Sequence, residues 1–255
     1  MVKFILLGHG RSGSTLLVKS LLRHSRVLME EELFHPEEAE RFKVDPHPTE
    51  DTPEQSELEI APYRDFEDGA EFLRDRVFCE RGNSRFLAVG FKMFYTHARE
   101  NKNAKTAWDY LRNDESIHVI HLVRTNILHT FLSLKVAFET GEWRRWKGVT
   151  GATAAPLSLR LEPAECEEFF NQIVAHRLWA RSAFQHHPFL EIDYENDVCS
   201  DFQNTMVRIY DFLNVPHEPA HELLEKQASR HPADLISNYD ELRDHFRHTL
   251  FESFF

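Results

Sequence analysis

Several marks of specialised function classes are missing from this chain. Its 255 residues hold only three cysteines, Cys79, Cys166 and Cys199, spaced for neither a metal nor a redox pair. Reduced thiols in a cytoplasmic protein are therefore expected. Positive charge is short as well. The 30 Lys and Arg against 42 Asp and Glu leave a net charge of −12, which argues against a nucleic-acid partner. Any anionic ligand must be held by local arginines, lysines and helix ends. No apolar run approaches a membrane span, and Phe4–Leu7 is too short for the apolar region of a signal peptide, so no membrane partner is expected. Internal repeats are absent. The 16 histidines show no metal pattern. His217 and His221 are spaced i, i+4, but Pro219 between them breaks the helix that spacing needs, and His186-His187-Pro188 reads as a helix end. No metal is expected.

What is present is ordinary globular material, 42% hydrophobic with 21 phenylalanines, enough for one domain over 1–255 with a substantial core. Its most informative stretch is Val2 to Leu17. Phe4-Ile5-Leu6-Leu7 reads as a buried parallel strand, Gly8 to Gly13 as a loop, and Ser14-Thr15-Leu16-Leu17 as the opening of a helix. That order presents free backbone N–H groups to a phosphate. The loop fits two templates. Gly8-x-Gly10-x-x-Gly13, with Glu30, Glu31 and Glu32 about twenty residues on, matches a dinucleotide fingerprint. Gly8-x-x-x-x-Gly13-Ser14-Thr15 matches a P-loop whose lysine is replaced by Ser14. The two hydroxyls, and bulky Leu16 and Leu17 where a dinucleotide fold wants a small residue, favour the P-loop. The missing lysine argues against a magnesium triphosphate, and Arg11 can supply the charge instead.

Downstream, strands are predicted at 86–93, 117–124 and 189–194, alternating with helices near 66–79, 104–112, 127–138, 163–184 and 201–213. A last helix is predicted at 239–247. Thr125 or Asn126 caps the third of these, and Pro163 opens the fourth, whose Phe169, Phe170, Ile173, Val174 and Leu178 are expected to share a buried face. The alternation predicts an α/β fold, a parallel central sheet flanked by helices. Irregular insertions are expected at about 36–85 and 141–162, the second carrying Trp143, Arg144, Arg145, Trp146 and Lys147. In such sheets ligands bind at the carboxyl ends of the strands, which gathers Arg11, Glu32, Lys92, Arg124 and Tyr194 along one edge. Arg124 ends a strand and Ser133 follows on the next helix, a compact site for a second phosphate.

With those residues in view, the chain resembles the sulfotransferases that use 3′-phosphoadenosine-5′-phosphosulfate (PAPS), especially the bacterial carbohydrate and nodulation-factor type. Arg11-Ser12-Gly13-Ser14-Thr15 is similar to the family's 5′-phosphosulfate loop. His121-Leu122-Val123-Arg124 through Ser133 resembles its 3′-phosphate site, and Tyr194 the tyrosine beside adenine. Gln227 lies in a stretch similar to the C-terminal loop that covers the cofactor. The resemblance implies a P-loop NTPase-like sulfotransferase fold. It implies PAPS as donor, PAP as product, no metal, and a small hydroxylated acceptor, carbohydrate or natural product. Arg11, Ser14, Thr15 and the helix amides would neutralise the departing phosphate, and Lys92 would reach the transferring group or the acceptor. Glu32 would be the base, with Glu30 and Glu31 leaving its register open and His97 as the competing base. The acceptor and the oligomeric state, monomer or homo-oligomer, are not set by the sequence. Two other readings compete: a nicotinamide-dinucleotide oxidoreductase, with Glu30 to Glu32 on a ribose, and a non-catalytic nucleotide-binding module.

Overall fold

The computed structural model describes residues 1–35, 68–80, 85–99, 102–143, 157–224 and 231–255. Among the described residues five strands form one sheet: β1 (Val2–Gly8), β2 (Val27–Glu30), β3 (Ala88–Phe94), β4 (His118–Val123) and β5 (Phe189–Asp193), in the order β2-β3-β1-β4-β5. Every pairing is parallel. The strands therefore all point their carboxyl ends the same way, and β1 lies between β3 and β4 where the chain order reverses. This is the position at which open α/β sheets receive ligands.

The sheet is central because β1 is apolar on both faces. Phe4 and Leu6 project to one side and Ile5 and Leu7 to the other, all at most 1% exposed. Phe4 and Leu6 join Leu17 and Leu21 of α1 (Ser14–Leu21). Ile5 and Leu7 pack with Phe72 of the short α2 (Gly69–Phe72) and Trp108 of α3 (Lys102–Asn113). Burying a phenylalanine or leucine of this kind stabilises by roughly 1.5–3 kcal/mol. Gly90 of β3 admits the Phe4 ring, since a Cβ there would stand 2.6 Å from Phe4 Cδ1.

Two longer helices, α4 (Ile127–Thr140) and α5 (Pro163–Ala183), are followed by α6 (Phe202–Phe212) and the short α7 (Pro232–Leu235) and α8 (Tyr239–His245). Asn126 caps α4 by accepting from His129 N–H at 3.2 Å, and Gly141 ends it at φ 69°. The insertion at 36–85 is not wholly irregular: Asp68 caps α2, which runs into a π-helical turn at Leu73–Val77. Residues 36–67, 81–84 and 144–156 lie outside the described residues, as do Arg144, Arg145, Trp146 and Lys147.

One face was misread in sequence. Cys166, Phe170, Ile173 and Ala180 form the buried side of α5, whereas Val174 is 36% and Leu178 59% exposed. The reason is angular. The buried residues follow steps of four, three and seven, centred between Phe170 and Ile173, and steps of four from Phe170 drift off that line. Arg177 falls on the buried line instead.

Candidate active site

The loop after β1 closes on itself: Ser12 Oγ donates to the His9 carbonyl at 2.7 Å. Arg11 holds a left-handed φ of 66° and Gly13 one of 90°. Gly13 is fixed twice over, because a Cβ there would also stand 2.2 Å from Tyr194 Cε2. The backbone of Gly13 caps α1 and no side chain does, so Ser14 and Thr15 open the helix with their amides at the sheet's carboxyl edge.

Beside this loop a cationic cluster assembles. Arg11 Nε and Nη2 each donate to Ser133 Oγ of α4 at 3.1 Å, and Nη1 donates to the Trp143 carbonyl at 2.6 Å. Arg124, just past β4, donates through Nη1 to the Arg11 carbonyl at 3.3 Å. Its Nε donates to Glu195 at 2.7 Å, and its guanidinium lies 5.0 Å from the Tyr194 ring centre. Among the described residues Arg11 has hydroxyl and carbonyl partners and no ion-paired carboxylate. Burial, and then the like charge of Arg124, bring its pKa down to about 10. Tyr194 is shifted upward, chiefly by burial. Arg11, Ser12, Gly13, Ser14, Thr15, Arg124, Ser133 and Tyr194 thus stand around one strand edge, with Arg11 joining the loop to Ser133. Gln227 lies outside the described residues.

A second cluster sits on the β2 side. β2 ends at Glu30 opposite Phe91, so the chain turns away where Lys92 continues β3. Lys92 is 1% exposed, and its Nζ lies 2.6 Å from Glu32 Oε1. Glu32 Oε2 faces His97 Nε2 at 3.6 Å and His35 Nε2 at 3.7 Å. Glu31 turns the other way and pairs with Lys19 of α1 at 2.8 Å. Of the three consecutive glutamates, Glu32 is therefore the one held by Lys92. The two candidate bases, Glu32 and His97, are neighbours within one constellation.

Burial brings His97 down to a pKa of about 4, against the opposing charge of Glu32, so its ring is neutral at pH 7. Its Nδ1 accepts the Phe94 N–H at 3.3 Å. The single proton of the neutral ring then sits on Nε2, directed at Glu32. Glu32, His35 and His97 offer ligand atoms within 4.8 Å of one another, close enough for one metal ion. Two features oppose that use: the Lys92 ammonium occupies Glu32 Oε1, and a proton occupies His97 Nε2. His35 was not among the expected site residues; it stands three residues after Glu32 and reaches the same carboxylate.

A parallel sheet whose central strand feeds a glycine-rich loop and a helix without a side-chain cap, with two guanidiniums alongside, is a P-loop-like α/β architecture. The sequence model of the sulfotransferase family matches residues 4–219, and the chain belongs to that family. It is 26% identical to nodulation protein H of Rhizobium meliloti over 196 residues, 72% of this chain and 76% of that protein. Nodulation protein H of Rhizobium tropici is 28% identical over 153 residues, 58% of each chain. The crystal structure of a sulfotransferase from Alicyclobacillus acidocaldarius aligns with 95% of this chain and 90% of its own, at 13% identity and a TM-score of 0.47. Among the described residues no helix is long and apolar enough to cross a membrane.

Proposed function

We propose that residues 1–255 act as one sulfotransferase domain that moves the sulfuryl group of PAPS to a hydroxyl of a small acceptor, a carbohydrate or natural product. The observation that carries this reading is the chain from Arg124 through Arg11 to Ser133: Arg124 donates to the Arg11 carbonyl, and the Arg11 guanidinium donates to the Ser133 hydroxyl, beside a helix start with no side-chain cap. Such a cluster suits a phosphate, and the Tyr194 ring packed on Gly13 offers an aromatic face to a flat base. These residues fit the donor. When bound, PAPS supplies the sulfuryl group and departs as PAP.

The chain's own residues divide the work. Arg124 and Ser133 bind the 3′-phosphate, Arg11 beside them neutralises the departing 5′-phosphate, and Tyr194 flanks the adenine. Ser12, Gly13, Ser14 and Thr15 hold the 5′ end through amides and hydroxyls, and Gln227 belongs to the covering loop. Glu32 takes the proton from the acceptor hydroxyl as its oxygen attacks in line. Lys92 steadies that carboxylate and faces the charge on the sulfuryl oxygens. His97 accepts the Phe94 N–H at Nδ1, which leaves its proton on Nε2, so Glu32 is preferred over it as base. A nicotinamide reading finds less support, because Glu31 and Glu32 are engaged by Lys19 and Lys92. The three cysteines are free, which suits a reducing cytoplasm.

The test is Glu32→Gln beside Glu31→Gln, assayed by mass spectrometry for sulfuryl gain on an acceptor panel with PAPS. Glu32→Gln should keep PAP affinity and lose turnover by roughly 10²–10⁴-fold, while Glu31→Gln keeps it. Full turnover in Glu32→Gln contradicts the assignment of the base.

A further inference from the structure

Three guanidiniums lie in series, the first two each holding the backbone of the next. Arg177 of α5 donates through Nη2 to the carbonyl of Arg124. Arg124 donates to the carbonyl of Arg11, and Arg11 donates to Ser133 Oγ. The first member is costly where it stands. Arg177 sits on the same line of α5 as buried Cys166, Phe170, Ile173 and Ala180, where an apolar side chain would be the ordinary filling. Burial lowers its pKa, and the groups around it are Tyr95, Arg181, Asp193, Glu191 and His9. Glu191 is already taken by Arg181, which holds it with two bonds of 2.8 and 2.7 Å. Among the described residues Arg177 has no ion-paired carboxylate, and its hydrogen bond goes to the Arg124 carbonyl.

That carbonyl lies at a sensitive point. Arg124 connects the end of β4 to Thr125 and the Asn126 cap of α4, so its backbone angles decide where its guanidinium points. Glu195 fixes the far side by accepting from Arg124 Nε at 2.7 Å and from Thr125 N at 2.9 Å. Arg177 fixes the near side. We propose that Arg177 is a positioning residue for donor binding, setting the backbone of Arg124 and thereby the guanidinium that receives the 3′-phosphate. The inference rests on the PAPS reading of the same site and adds to it a residue outside the motifs. It also gives the half-buried charge a purpose, since a helix anchor alone is served by an apolar side chain.

The experiment is calorimetric titration of the full chain with adenosine 3′,5′-bisphosphate and with adenosine 5′-phosphate, in wild type, Arg177→Met, Arg124→Ala and the double variant. The quantity read is the affinity ratio of the two nucleotides, which isolates the 3′-phosphate. Arg177→Met should lower that ratio about fivefold to tenfold, leave the monophosphate within about twofold, and add nothing in the Arg124→Ala background. An unchanged ratio, an equal loss for both nucleotides, or the same loss in both backgrounds overturns the inference. Should Arg177→Met not fold, Arg177→Lys keeps the charge without the planar fork and should lower the ratio about twofold. An unchanged ratio there overturns it equally. Absence of any preference for the bisphosphate in wild type is a different failure, that of the donor reading itself.

Discussion

Replacing Lys92 with methionine separates what this residue does for folding from what it does for transfer. Its ammonium is 1% exposed and lies 2.6 Å from Glu32 Oε1, while the Glu32 side chain keeps 19% of its exposure. Methionine has nearly the same reach, so the main loss is the charge. Glu32 is then left facing two imidazoles at 3.6 and 3.7 Å, one of them held neutral by burial. Breaking a fully buried pair costs about 3–5 kcal/mol, and the partial exposure of Glu32 lowers the expectation to about 2–3 kcal/mol. Adding Glu32→Gln removes the stranded charge. The double variant should recover to within about 1 kcal/mol of wild type, a coupling of about 2 kcal/mol. Urea unfolding reads this as a midpoint that falls and then returns at constant slope. Turnover should not return with it, because both the proposed base and the cation beside it are gone. Additive losses of stability, or recovered turnover, refute the reasoning.

Two further outcomes follow from the same geometry. Gly13→Ala should destabilise by about 1–2 kcal/mol from its left-handed backbone alone, and more because the new methyl meets Tyr194, with nucleotide affinity falling alongside in a thermal-shift titration. His97 folds neutral with a pKa of about 4 against 6.5 in the unfolded chain, so below pH 6.5 the unfolded state binds the extra proton. Stability should fall by up to about 3 kcal/mol between pH 6.5 and 4, and His97→Asn should flatten that part of the profile measured by denaturation at a series of pH values.

The fold was legible because its signals are local. Phe4 to Leu7, Ala88 to Met93 and His118 to Val123 are short, mostly apolar runs with helices between them, and the Asn126 cap and Pro163 stand at helix starts. Motif residues also gathered as expected at one sheet edge, since that edge is fixed by strand direction. What stayed hidden was set by distance or by angle. Whether Glu31 or Glu32 faces Lys92 depends on β2 ending opposite Phe91, which no local pattern reveals. That Arg11 reaches Ser133 depends on a side chain crossing between two motifs. Arg177 carried a weak signal, a cation on the buried line of a helix, but that line was drawn through Val174 and Leu178 and so missed it.

In the proposed function, Arg124 and Ser133, linked through Arg11, receive a phosphate that only the 3′ position of the nucleotide supplies. The most direct measurement is the affinity of wild type and Arg124→Ala for adenosine 3′,5′-bisphosphate against adenosine 5′-phosphate. Wild type should prefer the bisphosphate, and Arg124→Ala should lose about 10–100-fold on it while holding the monophosphate nearly unchanged. Equal losses on both nucleotides, or tighter binding of NAD than of the bisphosphate by wild type, would contradict it.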